Sequence, residues 1–481
     1  MRERLSAVDT AWLRMDTPGN LMMICGVLLL ERRITRARLA ALLDRRFLRF
    51  ARFRQRPVEE SGANAWQDHA GFDLDAHIVE VDLPAPARQR ELQKLVSRLA
   101  GTPLDASRPL WQFHIVRNYS TGSALIVRIH HCYADGIALI QVMLSMTDAS
   151  PTGPPALPMR ARHTSSGDDH AETPPAPIDN AVQTASRIAA TLVRKGVELW
   201  TNPQEAVALA AKGTALTREI ATLALMRQDS NTSLKGVPTG SKCVAWADAL
   251  SLDEVKAIGR ALHASVNDVV LACAAGAFAA FLNQQGAALD GVTVRVLVPV
   301  NLRPAHEAHR LGNEFGLVFV DLPVHVANPV ARLLAIRANM QALKGSMQPV
   351  LSMGLLAAMG AGPRALQDVL LQALARNATA VMTNVPGPQQ RLYLAGSAIE
   401  SLMFWVPQAG NIGVGASIIS YDGKIQFGVV TDRAISSRPQ AIARGFGQAF
   451  EALVLTTLMS PWPEQGAIDP SLAEAAVTAS R

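Results

Sequence analysis

The spacing of apolar residues in the first 150 positions switches repeatedly between helical and strand periods. Apolar residues recur at helical spacing over Arg36–Phe50 and Glu91–Leu99, which predicts two amphipathic helices. Apolar runs at Met23–Leu30, Trp111–Val116 and Ala124–Ile129 predict strands that are largely buried. Because helices interleaved with strands are typical of layered α/β domains, we predict one such domain in this part of the chain.

The pattern changes after Ala149. Residues 151–177 are rich in Pro, Ser, Gly and Asp, so few side chains there are able to pack. Two helices are predicted beyond this stretch, near Val182–Trp200 and Pro203–Met226. The first mixes apolar and cationic positions, and it either packs between two domains or lies on a membrane surface. We therefore predict that residues 151–240 form a Pro-rich linker with crossover helices.

Residues 241–481 return to mixed spacing and predict a second α/β domain. The alternation over Val292–Val298 predicts a strand, and Asn411–Thr431 carries two strand-like runs around a turn at Tyr421–Gly423. Four helices are predicted, at Leu252–His263, Asn267–Asn283, Val330–Lys344 and Ala365–Arg376.

Composition narrows the picture. A chain of 481 residues favours two domains over one core. Its apolar content of 49% and mean hydropathy of +0.14 indicate an apolar cavity or a membrane-facing surface. The longest apolar runs, at Leu21–Leu30 and Val269–Leu282, are shorter than the roughly 20 residues that cross a bilayer. We interpret them as a buried strand and a buried helix.

The N-terminal sequence and the cysteines favour a cytoplasmic protein. Met1–Ser6 lacks the charged and then apolar layout of a signal peptide. The four cysteines are scattered without metal-site spacing, which predicts a reduced compartment.

The segment His130–Gly136, with the sequence His-His-Cys-Tyr-Ala-Asp-Gly, carries the candidate chemistry. It follows a predicted buried strand, and adjacent residues of a strand point to opposite sides, so one histidine faces a given cavity. That arrangement suits one histidine as a general base while its neighbour and Asp135 hold the loop. A metal site is disfavoured because the two histidines diverge and no Cys or Glu lies at zinc-site spacing.

The HHxxxDG pattern resembles that of acyl-CoA-dependent acyltransferases built like chloramphenicol acetyltransferase, a superfamily that includes the condensation domains of peptide synthetases. More narrowly, the chain resembles the bacterial wax ester synthase/diacylglycerol acyltransferase family. That resemblance rests on an ordered set of further segments: Leu5–Asp9, Pro103–Asp105, Pro109–Trp111, Val266–Val269, Pro299–Arg303, Leu311–Gly316, Thr383–Pro388 and Ser420–Lys424.

The resemblance implies an α/β fold of two chloramphenicol-acetyltransferase-like domains, each with a mixed β-sheet flanked by helices, and an active-site channel between them. Residues 1–150 would form the N-terminal domain that carries HHxxxDG, and residues 241–481 the C-terminal domain. The resemblance further implies that a segment of the second domain crosses to complete the channel, beginning near Asn384–Pro388.

The function implied is an O-acyltransferase that moves a fatty acyl group from acyl-CoA to a long-chain alcohol or a diacylglycerol, with no cofactor and no metal. His131 would be the general base, without a covalent acyl-enzyme. Cys132 is a candidate nucleophile, but a residue next along the strand points away from the histidine, so we interpret it as a core residue. Two alternatives are an acyltransferase that takes its acyl group from a carrier protein and a non-catalytic lipid-surface binding protein.

The remaining site residues are given supporting roles. His130 supports the loop, and the resemblance implies that Asp135 is structural, with Arg303 as its candidate partner. Alternatively, Asp135 caps the helix that follows. Gly136 would relieve crowding or permit an unusual backbone angle.

Two other positions leave alternatives open. Asn267 and Asp268 either cap the next helix or help to shape a substrate-binding site near the thioester. Tyr133, where the family more often has a small or aliphatic residue, is expected to narrow or polarise the channel.

Charge and hydropathy suggest where the protein works. Among an excess of six positive charges, six arginines crowd positions 45–56. They form either a solvated helix end or a patch that attracts lipid headgroups or coenzyme A phosphates. No nucleic-acid motif accompanies them. We expect a cytoplasmic protein attached peripherally to the inner face of the plasma membrane or to lipid inclusions.

Overall fold

The computed structural model describes residues 3–60, 62–152, 226–303 and 311–460. The helix predicted near Val182–Trp200, nearly all of the helix predicted at Pro203–Met226 and most of the linker lie outside the described residues. The predicted division into residues 1–150, 151–240 and 241–481 therefore stays a prediction.

Two seven-stranded sheets are present in the described residues, and the first contains the strand that ends at His130. Its strands are β2 (Met23–Leu30), β5 (Ile78–Val81), β6 (Trp111–Val116), β7 (Ser123–His130), β8 (Thr147–Asp148), β14 (Tyr393–Leu394) and β15 (Ser397–Trp405). They lie in the order β5-β6-β7-β2-β15-β14-β8, and β5 with β6 is the parallel pair. Every residue of β7 is buried, which explains its continuous apolar run.

The second sheet comprises β9 (Lys242–Trp246), β10 (Leu250–Ser251), β11 (Val294–Asn301), β12 (Phe315–Leu322), β13 (Ala380–Pro386), β16 (Val414–Tyr421) and β17 (Lys424–Asp432). The strands lie in the order β10-β17-β16-β13-β11-β12, with β9 also paired to β17. β13 runs parallel to both β11 and β16, so this sheet is mixed too. The turn predicted at Tyr421–Gly423 is confirmed, and Asp422 and Gly423 both have the positive φ of a two-residue hairpin loop.

A third, three-stranded antiparallel sheet was not predicted. It comprises β1 (Glu3–Arg4), β3 (Gln55–Glu60) and β4 (Ala63–Asp68). Its strands hold few apolar residues, and these do not alternate clearly with polar ones, so the period-2 signal is weak. Similarly, β11 begins two residues later than the predicted strand and extends three residues beyond it.

Ten α-helices flank the sheets in the described residues. They are α1 (Ala7–Met15), α2 (Arg36–Leu42), α3 (Gln89–Ala100), α4 (Gly136–Ser145), α5 (Leu252–Ala261), α6 (Val266–Gln284), α7 (Pro329–Leu343), α8 (Gln348–Ala361), α9 (Arg364–Arg376) and α10 (Pro439–Met459). The helix predicted over Arg36–Phe50 is α-helical only in its first part. It continues as a π-helical turn, Leu43–Phe47, that brings the side chains at both its ends into the core. Two short 3-10 turns lie at Ala51–Arg54 and Leu74–His77.

Helix α6 forms the centre of the second core. Among the described residues it is the one helix long and apolar enough to cross a membrane, and 78% of its most apolar window is buried in the protein. It packs against α10 and α7. The expected buried helix is therefore present.

Two features join the halves of the chain. Strand β15 pairs with β2, so a segment from the second half crosses over to the first sheet. The crossing itself is what the resemblance implied. Helix α1 packs against α8 at Gly360, where an added Cβ atom would overlap the carbonyl group of Ala7. Arg14 at the end of α1 donates to the carbonyl oxygens of Gly360 and Gly362. The α/β fold with two mixed sheets flanked by helices is confirmed.

Candidate active site

The two histidines leave the end of β7 in different directions. His131 lines a cavity, whereas His130 points toward Asp16, with 3.8 Å between His130 Nε2 and the carboxylate. His130 Nδ1 accepts a hydrogen bond from the backbone N–H of Cys132. Burial, and to a smaller extent the neighbouring imidazole of His131, lowers the pKa of His130 to about 3, so the His130 ring is neutral and its contact with Asp16 is not an ion pair. His130 thus contacts the turn through one ring nitrogen, while its buried Nε2 atom has no hydrogen-bond partner among the described residues.

His131 is enclosed by aromatic rings. Its imidazole stacks on Trp12 with the ring centroids 4.1 Å apart and an angle of 19° between the planes, and Phe315 lies at 5.8 Å. Its Nδ1 atom is buried and has no hydrogen-bond partner among the described residues. Burial lowers the pKa of His131 to about 4, although the charge of Asp135 opposes the shift. The imidazole is therefore neutral at physiological pH.

The backbone of His131 is fixed by two distant segments. Its N–H donates to the carbonyl oxygen of Met22 at 2.7 Å. The side-chain amide of Asn313 donates to the carbonyl oxygen of His131 at 2.8 Å and to the carboxylate of Asp9 at 2.7 Å. Burial raises the pKa of Asp9, against the opposing hydrogen bond from Asn313. Asn313 therefore links α1 and the second half of the chain to the histidine.

Asp135 is fully engaged in structural contacts. Arg303 lies 2.9 Å from one carboxylate oxygen, and both side chains are nearly inaccessible to solvent. The backbone N–H groups of Ala138 and Glu314 donate to the same carboxylate at 2.8 and 3.1 Å. Asp135 is also the N-cap of α4. The two roles weighed for this residue thus occur together, and Arg303 is the residue paired with it.

The cavity beside His131 has a volume of about 300 Å³ and lies where the two halves of the chain meet. Its walls are mostly aliphatic and aromatic, a lining that favours a hydrocarbon chain over water. The first half contributes Trp12, Met15, His131, Asp135, Gly136 and Ile137. Strand β11, helix α9, strand β13 and the segment 404–412 supply most of the rest.

Asn267 and Asp268 occupy different environments. The N-cap of α6 is Ser265, so neither residue is the cap itself, contrary to that expectation. Asp268 accepts hydrogen bonds from the N–H and hydroxyl groups of Ser265, which makes it part of a capping box. Asn267 accepts a 2.7 Å hydrogen bond from Asn384, and Asn384 lines the cavity. Of the pair, only Asn267 is connected to the cavity.

Two expectations for the HHxxxDG segment were wrong. Tyr133 does not border the cavity, because its hydroxyl is buried, donates to the carbonyl oxygen of Gln55 and accepts from the N–H of Leu110. Gly136 has no positive φ, and a Cβ atom added there would meet nothing within 4 Å. Since Gly136 lines the cavity, its missing side chain leaves cavity space open rather than relieving crowding.

Cys132 is fully buried in the first core, and burial raises the pKa of its thiol. It does not line the cavity beside His131. The thiol is therefore poorly placed to be a nucleophile.

The arginine-rich stretch is largely held by its own chain. Arg46 pairs with Asp148 at 2.7 Å, and Arg52 pairs with Glu3 at 2.9 Å while lying over the ring of Trp66. Arg54 lies 3.9 Å from the carboxylate of Asp44. These contacts favour the structural interpretation of the stretch over a phosphate-attracting patch.

The sequence did not identify Trp12, Asn313 or Asn384 as site residues. Asn313 and Asn384 belong to segments that carried the family resemblance, Leu311–Gly316 and Thr383–Pro388, and Asp9 ends a third. Buried polar residues within such segments were the available signal. The pairing of Asn313 with Asp9, 304 residues apart, and that of Asn384 with Asn267, 117 residues apart, cannot be read from spacing.

Comparisons with known proteins show which family the chain resembles. Two family models match the chain, the wax ester synthase/diacylglycerol acyltransferase catalytic domain over residues 5–270 and the WS/DGAT C-terminal domain over residues 311–454. The "Probable diacyglycerol O-acyltransferase tgs1" of Mycobacterium tuberculosis is 28% identical over 418 residues, which cover 84% of each chain. "Probable diacyglycerol O-acyltransferase tgs2" of the same species is 29% identical over 393 residues, covering 79% of this chain and 81% of the relative.

Solved structures share the fold. The wax ester synthase/diacylglycerol acyltransferase from Marinobacter aquaeolei VT8 aligns with a TM-score of 0.68 at 21% identity, over 95% of this chain and 100% of that one. The first condensation domain of the calcium-dependent antibiotic synthetase aligns with a TM-score of 0.59 at 14% identity, over 95% and 97% of the two chains.

Proposed function

The chain belongs to the wax ester synthase/diacylglycerol acyltransferase family, and from that premise we propose that it transfers a fatty acyl group from acyl-CoA to the hydroxyl of a long-chain alcohol or a diacylglycerol. The products are wax ester and triacylglycerol. The observation that supports this most strongly is a buried, neutral histidine, His131, on the wall of a largely apolar cavity.

His131 acts as the general base in this proposal. Because Nδ1 is enclosed, Nε2 accepts the proton of the acceptor hydroxyl as its oxygen bonds to the thioester carbonyl carbon. When the carbon–sulfur bond breaks, the imidazolium returns that proton to the departing thiolate. The burial that keeps the imidazole neutral also makes the imidazolium short-lived, which favours this return.

The remaining residues position these groups. The stacked ring of Trp12 sets the plane of the imidazole, and the Asp135–Arg303 pair fixes the turn that carries it. The thioester is already activated, so the reaction needs no covalent acyl-enzyme, cofactor or metal. Water is kept from the thioester by the apolar walls.

The acceptors lead to a proposal about location. A long-chain alcohol and a diacylglycerol each present one hydroxyl on an apolar body, and both dissolve in membranes rather than in water. We therefore propose that the protein works peripherally, at the inner face of the plasma membrane or at lipid inclusions.

The test is product formation by the purified protein. Palmitoyl-CoA is supplied with hexadecanol, with dipalmitoylglycerol or with neither, free thiol release is followed, and the extracted lipids are identified by mass spectrometry. Thiol release that requires an acceptor, with palmityl palmitate or tripalmitin as product, is the expected result. Folded protein that forms neither product would overturn the proposal and favour a carrier-linked donor or a binding role.

A further inference from the structure

A second cleft lies on the side of α3 and differs chemically from the active-site cavity. It has a volume of about 920 Å³ and lies between α3, the start of β9 and residues 433–440. We call it the basic cleft because its lining includes the cations Arg90, Lys94, Arg98, Lys242 and Arg433. No Asp or Glu is among the lining residues in the described part of the chain.

Helix α3 concentrates three of these charges on one face. Arg90, Lys94 and Arg98 follow one another at intervals of four residues and are exposed. Like charges at this spacing repel and destabilise a helix. None of the three has an ion-pair partner in the described residues, in contrast to Arg46 and Arg52 in the arginine-rich stretch. A bound anion would relieve this repulsion.

The floor of the basic cleft is rigid. The carboxylate of Asp432 is buried and accepts hydrogen bonds from the hydroxyl of Thr239 at 3.0 Å and the N–H of Gly240 at 2.8 Å. Gly240 has a φ of +87°, and an added Cβ atom would overlap the carbonyl oxygen of Pro18. The backbone at Gly240 therefore packs too closely against Pro18 to leave room for a side chain. Lys242 belongs to this floor, because it is buried and its ammonium group lies 3.8 Å from the Asp432 carboxylate. The exposed cations Arg90, Lys94, Arg98 and Arg433 are therefore displayed around a floor of fixed shape.

The floor is connected to the active-site cavity through two hydrogen-bonded residues. The ammonium group of Lys242 donates to the side-chain oxygen of Asn20 at 2.8 Å. The Asn20 amide in turn donates to the carbonyl oxygens of Gly410, at 2.7 Å, and Ile412. Ile412 lines the cavity beside His131. A ligand in the basic cleft would therefore lie behind the cavity wall rather than on a remote surface.

We propose that the basic cleft binds the phosphate groups of a phosphorylated ligand. Guanidinium and ammonium groups that converge on a concave site are the side chains that bind phosphate most strongly in proteins. Two sources share this chemistry: the pyrophosphate and 3′-phosphate of coenzyme A, and the headgroup of an anionic phospholipid. The first source rests on the proposed acyl transfer, and the second rests only on the proposed location at a membrane.

The experiment measures binding to the intact protein, without turnover. Coenzyme A lacking an acyl group is titrated calorimetrically, and vesicles of phosphatidylglycerol or of phosphatidylcholine alone are tested by co-sedimentation. Both assays are run on the wild type, on Lys94→Gln/Arg98→Gln and on Arg38→Gln/Arg260→Gln. The last pair removes the same charge from exposed helix positions outside the cleft.

The expected result is that the cleft variant weakens binding of coenzyme A or of phosphatidylglycerol vesicles by about tenfold or more, while the matched control changes it by less than about twofold. The ligand that responds identifies the source. Equal binding by the cleft and control variants, or no binding of either ligand by the wild type, would overturn the proposal. Because turnover is not measured, failure of the proposed acyl transfer is detected separately.

Discussion

The ion pair between Asp135 and Arg303 allows a quantitative test of how the catalytic turn is held. Asp135→Ala removes the N-cap of α4, which costs about 1 kcal/mol. It also leaves a buried guanidinium without its carboxylate, a loss of about 3–5 kcal/mol when one partner of a buried pair is removed. The carboxylate of Glu314, 3.5 Å from Arg303, offsets part of this loss. We expect Asp135→Ala to lower the free energy of unfolding by roughly 3–5 kcal/mol in total.

The assay is guanidinium unfolding of Asp135→Ala, Arg303→Ala and the double variant. Ser251→Ala is the matched control, because Ser251 caps α5 without an ion pair and should cost only about 1 kcal/mol. The decreases in the free energy of unfolding for the two single variants, added together, should exceed the decrease for the double variant by about 1–3 kcal/mol. In Asp135→Asn, which keeps an acceptor for the cap, we expect a decrease in kcat on the order of 10²-fold through misplacement of His131. The reasoning would be refuted if Asp135→Ala lowered the free energy of unfolding no more than Ser251→Ala does. It would also be refuted if the effects of Asp135→Ala and Arg303→Ala simply added in the double variant.

Three further predictions concern neighbouring groups. Cys132→Ala should retain acyl transfer within a few-fold, since its buried thiol lies off the cavity, and complete loss with retained folding would indicate a nucleophilic cysteine. Tyr133→Phe should lower the free energy of unfolding by about 1–3 kcal/mol and leave acyl-chain preference unchanged, because its hydroxyl makes two buried hydrogen bonds outside the cavity. Because burial depresses the pKa of His131 to about 4, the base form persists below the ordinary histidine value, so kcat/KM should stay level from about pH 8 to about pH 6 and fall only near the lowered pKa. A fall in kcat/KM with its midpoint near pH 6.5 would contradict the buried environment assigned to His131.

The sequence predicted the regular elements where periodicity was strong. Strands β2 and β6 match their predicted ranges, and α6 extends the predicted helix by one residue at each end. The boundaries shifted where local rules give no signal, as in the π-helical turn after Leu42. Helix α8 was missed, although its packing at Gly360 places α1 and hence Trp12.

The candidate site was predicted in part. The resemblance, rather than the spacing, indicated Arg303 as a partner of Asp135, and the two side chains are in contact. The sequence could not indicate that Asn313 bridges Asp9 and His131, because that contact depends on the packing of the two halves. The sequence also led us to place Tyr133 in the channel, which was wrong. Residue type alone does not reveal which side of a turn a ring occupies. The assigned roles of the site residues stay predictions until variants are measured.

The most direct test of the account is acceptor-dependent thiol release from palmitoyl-CoA, measured side by side for the wild type and His131→Ala. The account predicts a loss of at least about 10²-fold in kcat for the variant, the range that removal of a general base produces, with an unfolding transition that shows the variant to be folded. Acyl transfer at the wild-type rate in folded His131→Ala would contradict the assignment of His131 as the base.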